Sequence, residues 1–185
     1  MRYDTVPQAT TFAWRLGVKN APEKPRWIVI GFQAGKSVDQ TQNPAIFDHL
    51  NLKNMYVMLN STSYPAVDYN HSFANQQFNR AYGDASLVGI RYFGMDELIT
   101  RSNISPADYK TLYPLFVFDV SKQSEKLKSS VVDVQIRAIF NQAVPAGTQA
   151  YAVVMSDKLL TFQSDGSKMR DGKVWKGRYM IKVCC

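Results

Sequence analysis

In VVDVQIRAIF (131–140), residues 132–138 alternate apolar and polar without a break. Val132, Val134, Ile136, Ala138 and Phe140 point one way, and Asp133, Gln135 and Arg137 the other. Successive side chains of a strand face opposite sides of a sheet, so this pattern demands an extended segment with one face in a core and one in water. A helix would scatter the same apolar residues around its circumference. TTFAWRLGV (10–18) repeats the rule, with Phe12, Trp14, Leu16 and Val18 on one face.

Other runs are apolar on both faces and suit strands buried between layers. RWIVIGFQ (26–33), KNMYVMLNS (53–61) and PLFVFDVS (114–121) are of this kind, the last with Leu115 and Val117 set against Phe116, Phe118 and Val120. NSTS reads as a turn before YPAVDYN (64–70), a short strand with an early proline, and AYAVVMSD (150–157) and LLTFQSD (159–165) are predicted as two strands broken near Lys158. About eight short strands separated by turn signals are the pattern of an all-β sandwich or barrel. Residues 72–112 interrupt it. SFANQQFNRAYGDASL (72–87) has helical spacing at Phe73/Gln77 and Phe78/Tyr82, weakened by Gly83. In SPADYKTLYP (105–114) Ser105 is placed to cap a helix, Pro106 to begin it, Asp108 to complete a capping pair and Pro114 to stop it. An insert of this length in a compact β domain tends to carry a role, here oligomer contacts or a cover for one end of the sandwich.

With 185 residues, 45% of them hydrophobic and 20% charged, the chain fits one globular domain, predicted at 1–165. Residues 166–185 read as a basic tail, because Lys168, Arg170, Lys173, Lys176, Arg178 and Lys182 stand there against Asp171 alone. Such a run recruits nucleic acid by releasing counterions, or is simply a solvated end. Cys184 and Cys185 close the chain, so no internal disulfide framework is expected. MRYDTVPQATTF lacks the apolar stretch of a signal peptide, and no apolar run approaches a membrane span. The expectation is a non-secreted, non-membrane protein, intracellular or packaged in a particle. The sequons at Asn60, Asn70 and Asn103 are then fortuitous.

Catalytic patterns are missing. His49 and His71 belong to no spacing that holds a metal, and the glutamates number three, Glu23, Glu97 and Glu125. Asp96 and Glu97 read as helix-start residues. No nucleophile elbow or phosphate-binding glycine loop occurs, so no catalytic residue, metal site or cofactor is predicted. SKQSEKLKSS (121–130), where Lys122, Lys126 and Lys128 flank Glu125, lacks glycines and aromatics and reads as a connection between two strands. Tyr64, Tyr69 and Trp27 are the rings that would form a platform for a sugar; otherwise they pack in the core or on a sheet face.

The stretches KPRWIVIGFQAGK, FDHLNLKNMYVMLNSTSYP, FVFDVSKQSEKLKSSVVDVQIRA and VPAGTQAYAVVMSDK resemble, in order, the C-terminal part of a double jelly-roll-like family. Its members look like major capsid proteins of Maverick/Polinton-type elements and related double-stranded DNA viruses. The resemblance, from about Trp14 to Phe162, implies an antiparallel jelly-roll sandwich in which the 72–112 insert and the 121–130 connection make interface and rim. It further implies a non-enzymatic virion protein, or a domesticated remnant of one, that self-associates as a homotrimer or higher assembly. In such capsid proteins one chain carries two rolls; here the N-terminal roll lies outside the match, and KVWKGRYMIKVCC departs from the family's usual ending. The expectation is one roll from a truncated or rearranged copy. The other function a jelly roll supports is binding of a carbohydrate or protein ligand.

Overall fold

A computed structural model describes residues 1–3, 5–17, 24–36, 39, 41–94, 104–122, 133–159, 162–164, 169–171 and 180–183. The strands are β1 (Arg2–Tyr3), β2 (Thr11–Leu16), β3 (Lys24–Ala34), β4 (Leu52–Leu59), β5 (Thr62–Tyr64), β6 (Phe116–Asp119), β7 (Val134–Phe140), β8 (Thr148–Leu159), β9 (Phe162–Ser164), β10 (Met169–Asp171) and β11 (Met180–Val183). Between β5 and β6 lie the helices α1 (Asn79–Ser86), α2 (Val88–Phe93) and α3 (Pro106–Thr111).

The first eight strands wind into two antiparallel sheets, in the orders β1-β8-β3-β6 and β2-β7-β4-β5. Successive strands therefore change sheets except at the β4–β5 hairpin and the β7-to-β8 step re-enters beside β1 and β3, which is jelly-roll winding. The registers gather the β1–β2, β3–β4, β5–β6 and β7–β8 connections at one end of the sandwich, with the remaining three at the other. β11 extends the first sheet along β8, and β9 and β10 form a separate ribbon.

The alternation in sequence becomes the core. β2 buries Phe12, Trp14 and Leu16, and β7 buries Val134, Ile136, Ala138 and Phe140, against Ile28, Ile30 and Phe32 of the facing sheet. Each such large apolar side chain taken from water contributes about 1.5–3 kcal/mol. The two-faced strands are two-faced for a reason. Phe116 and Phe118 of β6 point into this core, whereas Val117 joins Trp27 and Met155 in a second cluster on the outer face of the same sheet, where Ala85 and Val88 pack. The β3–β4 connection covers a further part of that face, while Val153 of β8 stays 45% exposed. Phe47 lies over Gly31, the Gln33 amide donates to Pro44 O at 2.6 Å, and the Lys36 ammonium donates to Ile46 O at 2.8 Å and Asp48 Oδ1 at 3.0 Å. The outer face of the β2-β7-β4-β5 sheet has no such layer among the described residues.

Three boundaries differ from the expected ones. Residues 72–78 are not helical: Ser72 and Gln77 exchange backbone hydrogen bonds of 3.0 and 2.8 Å, and Gln76 has φ 58°, so Phe73 and Phe78 enter the core from a tight turn. β5 occupies Thr62–Tyr64 instead of 64–70, since Asn60 at φ 53° tightens the hairpin and Pro65, lacking an N–H, ends the ladder. β8 runs through Lys158, held by β3 to Asp157 and by β11 to Leu159. The α3 prediction holds: Ser105 Oγ accepts from Asp108 N at 3.1 Å, with Pro106 in the first turn.

Candidate functional site

The seam where edge strands β5 and β6 of the two sheets meet holds a cavity of about 90 Å³. Trp27, Tyr64, Pro65, Tyr69, Asp84 and residues 117–119 line it. Tyr64 arrives from the end of β5, Tyr69 from the loop after it, Trp27 from β3 and Asp84 from α1. An open groove of about 400 Å³ continues outward, sharing Pro65, Tyr69 and Asp84 and adding Val67, Arg80 and Leu87. The three rings picked out in the sequence thus line one cavity.

Its polar groups are already engaged. The Tyr69 hydroxyl donates to Asp84 Oδ2 at 2.7 Å, the Arg80 guanidinium lies 5.2 Å over the Tyr69 ring, and Arg91 Nη1 stands 3.9 Å from Asp84 Oδ1. Burial, then the bond to Asp84, raises the Tyr69 phenol well above its usual range, so it stays a protonated donor. Trp27 is 6% exposed and packs on Val117 and Met155, making it a wall and not an open platform. This arrangement can hold a ligand with apolar faces and hydroxyl or carboxylate groups; it places no activated nucleophile beside a base. Asp84 and Arg80 escaped sequence reading, because the Tyr69–Asp84 contact spans 15 residues with no periodic signature.

Both histidines enter one aromatic cluster. His49 stacks on Phe73 with centroids 4.4 Å apart, while His71, 4% exposed, meets Tyr69 at 5.2 Å and Phe116 at 6.4 Å. His49 Nδ1 accepts from Asn51 N at 2.8 Å. Burial pushes both below the ordinary imidazole value, His49 with Lys110 assisting and His71 to about 4. Among the described residues no three His, Cys, Asp or Glu side chains gather as a metal site, and no helix is long and apolar enough to cross a membrane.

Of the six basic positions, Arg170 sits in β10 opposite Gln163 and Lys182 in β11 opposite Asp157. Lys168, Lys173, Lys176 and Arg178 lie outside the described residues, as do most of the 121–130 connection, Asn103, Glu23, Asp96, Glu97, Cys184 and Cys185. Asn60 and Asn70 are turn residues at φ 53° and 49°; Asn60 Oδ1 accepts from Asp133 N, and Asn70 N donates to Asn54 Oδ1.

Comparison with curated proteins and with solved structures returns no match. The family comparison does. A strand winding of 1-8-3-6 over 2-7-4-5, with a helical insert after the fifth strand, meets a matching family model across residues 2–160, and the chain belongs to the double jelly roll-like domain family.

Proposed function

We propose that this chain is a non-enzymatic structural building block, a jelly-roll module that self-associates into a shell of the capsid type with a trimer as its first assembly. The observation that carries the reading is the jelly-roll winding within a family match covering residues 2–160. The insert after β5 supports it, supplying a third layer that anchors helices at one flank where a neighbour can be engaged. Lys168, Arg170, Lys173, Lys176, Arg178 and Lys182 are proposed to contact packaged nucleic acid, and the particle, or the interior of the cell that makes it, to be where the protein resides. The test is the solution mass of the full chain across a concentration series. A discrete trimer or hexamer is expected, and a monomer at every concentration would overturn the proposal. Neutralising the six cations should flatten the salt dependence of DNA retention; an unchanged slope would remove that contact.

A second reading is a binding module for a carbohydrate. It is favoured by one observation, the convergence of Trp27, Tyr64 and Tyr69 on a single cavity beside Asp84. Glycan-array binding that disappears on Tyr69→Ala would support it, and no signal above background would dismiss it.

A further inference from the structure

Five strands end the two main sheets, β1 and the four-residue β11 sharing one edge along β8, and β2 is the longest of them. β5 has three residues and stops at Pro65; β1 has two; β6 has four, and its rim faces the cavity closed by Tyr69 and Asp84. β2 is different. It presents six residues at the end of its sheet, and among the described residues nothing pairs with its far side. Open edges of this kind are templates for another strand.

The direction of β2's backbone groups follows from one bond. Phe140 N donates to Thr10 O at 2.8 Å, in phase with the β2–β7 register of Phe12 with Ala138 and Trp14 with Ile136. In an antiparallel ladder hydrogen-bonded pairs alternate with non-bonded ones. Phe12, Trp14 and Leu16 therefore spend their N–H and C=O groups on β7, and those of Thr11, Ala13 and Arg15 point outward.

We propose that this edge is self-complementary: two copies of the chain join antiparallel through β2 about a two-fold axis at Ala13, fusing their four-stranded sheets into one of eight. This rests on the self-association proposed above and adds to its trimer a second contact, of two-fold symmetry, with a named surface. Ala13 then faces Ala13 of the second copy, and Thr11 faces Arg15 in both directions. All the outward donors and acceptors of the three residues are satisfied at once, because the outward groups fall on every second residue either side of the axis.

The side chains agree with that register. The smallest of the three outer residues sits at the axis, where paired Cα atoms are about 5.5 Å apart. Each Arg15 meets a threonine, and the two Arg15 positions fall four residues apart along the strands, on the order of 13 Å. Arg15 is moreover paired with Asp133 of its own chain at 2.6 Å, which compensates its charge. On the inner side Phe12 comes opposite Trp14 of the second copy, extending the aromatic row that Tyr3 begins with its edge contacts to both rings at 5.1 and 5.6 Å. An isologous contact of this kind is closed, so it joins two copies and no more unless a second, differently placed contact extends the assembly.

The experiment uses the full chain and reads mass and amide exchange together. Wild type is expected to reach, with concentration, the hexamer in which two trimers are joined through the two-fold contact, and the Thr11, Ala13 and Arg15 amides to slow by at least about tenfold as it forms, while Phe12, Trp14 and Leu16 are slow throughout. Ala13→Lys sets two ammonium groups at the axis, and Ala13→Pro removes an outward N–H without touching the β7 ladder. Both should lose that species with unchanged circular dichroism, and Ser63→Lys on β5 should retain it. Retention of the wild-type mass distribution by Ala13→Lys, or amides at Thr11, Ala13 and Arg15 that stay fast in concentrated samples, overturns the edge assignment while leaving self-association standing. A wild type monomeric throughout overturns both.

Discussion

His71 and Gly31 show how single residues hold the outer layers to the roll. The folded chain keeps the His71 imidazole neutral down to about pH 4, whereas unfolded it titrates near 6.5. Between those values the unfolded state binds more protons, so stability is full above pH 6.5 and falls as the pH drops toward 4. His49 adds in the same direction. Urea midpoints at about pH 7.5 and about pH 5 should differ, and His71→Phe should remove most of the difference; an unaltered difference would mean other groups carry it. Gly31 works by lacking a side chain: a Cβ there would stand 2.6 Å from Phe47 Cδ1 and 2.9 Å from Leu115 Cδ2. Gly31→Ala should destabilise by about 1–3 kcal/mol, because the overpacking outweighs the ~0.4–1 kcal/mol gained from a stiffer unfolded chain. Thermal unfolding checks it. Neither role is legible in the sequence. Which ring lies over a glycine, or which imidazole loses its water, depends on residues 16 to 84 positions away in the chain, and one-dimensional patterning carries no such information. Sites read from local chemistry fared better, as with the Ser105 cap.

Among the elements, strands were readable and the insert was read in part. A strand's period-two pattern is imposed by the core it faces, so Phe12, Trp14 and Leu16, or Val134 through Phe140, declare themselves. The Phe73/Gln77 spacing misled because four residues also separate them across a turn that Ser72 and Gln77 close, whereas the Phe78/Tyr82 spacing does mark α1, where Tyr82 N donates to Phe78 O. The energetics of the insert follow from that geometry. Phe73 is fully buried and stacks on His49 and on Phe78, whose ring centroid is 5.3 Å away. Phe73→Ala should cost about 3–5 kcal/mol, with proteolysis appearing first within residues 65–94. Ser105→Ala, which loses only a helix cap, should cost about 1 kcal/mol and leave the proteolytic pattern unchanged. Equal effects of the two on the midpoint would show that the insert is held by its helices and not by its aromatic anchor.

For the whole molecule, the winding of eight strands was beyond periodicity, which supplies strands and not their neighbours. The order 1-8-3-6 and 2-7-4-5 emerges only when registers such as Thr11 with Ile139, and Phe32 with Ala150, are known. Resemblance to a family supplied what physical reading of the residues left open between sandwich and barrel. The winding also yields an asymmetry. One sheet carries a further layer of its own chain over Trp27, Gly31, Gln33 and Val117, and the other shows no such layer over Lys53, Tyr56, Met58, Gln135 and Arg137 among the described residues. Two evolutionary clocks follow from this. As copies of such a gene diverge, β3 and β6 can change only in step with Phe47, Ala85 and Val88, whereas the outward positions of β4 and β7 are free to drift wherever no neighbour in an assembly restrains them. A slow outward position on β4 or β7 in a future comparison of relatives would therefore mark a contact, and a fast one on β3 would mean that its cover had been lost.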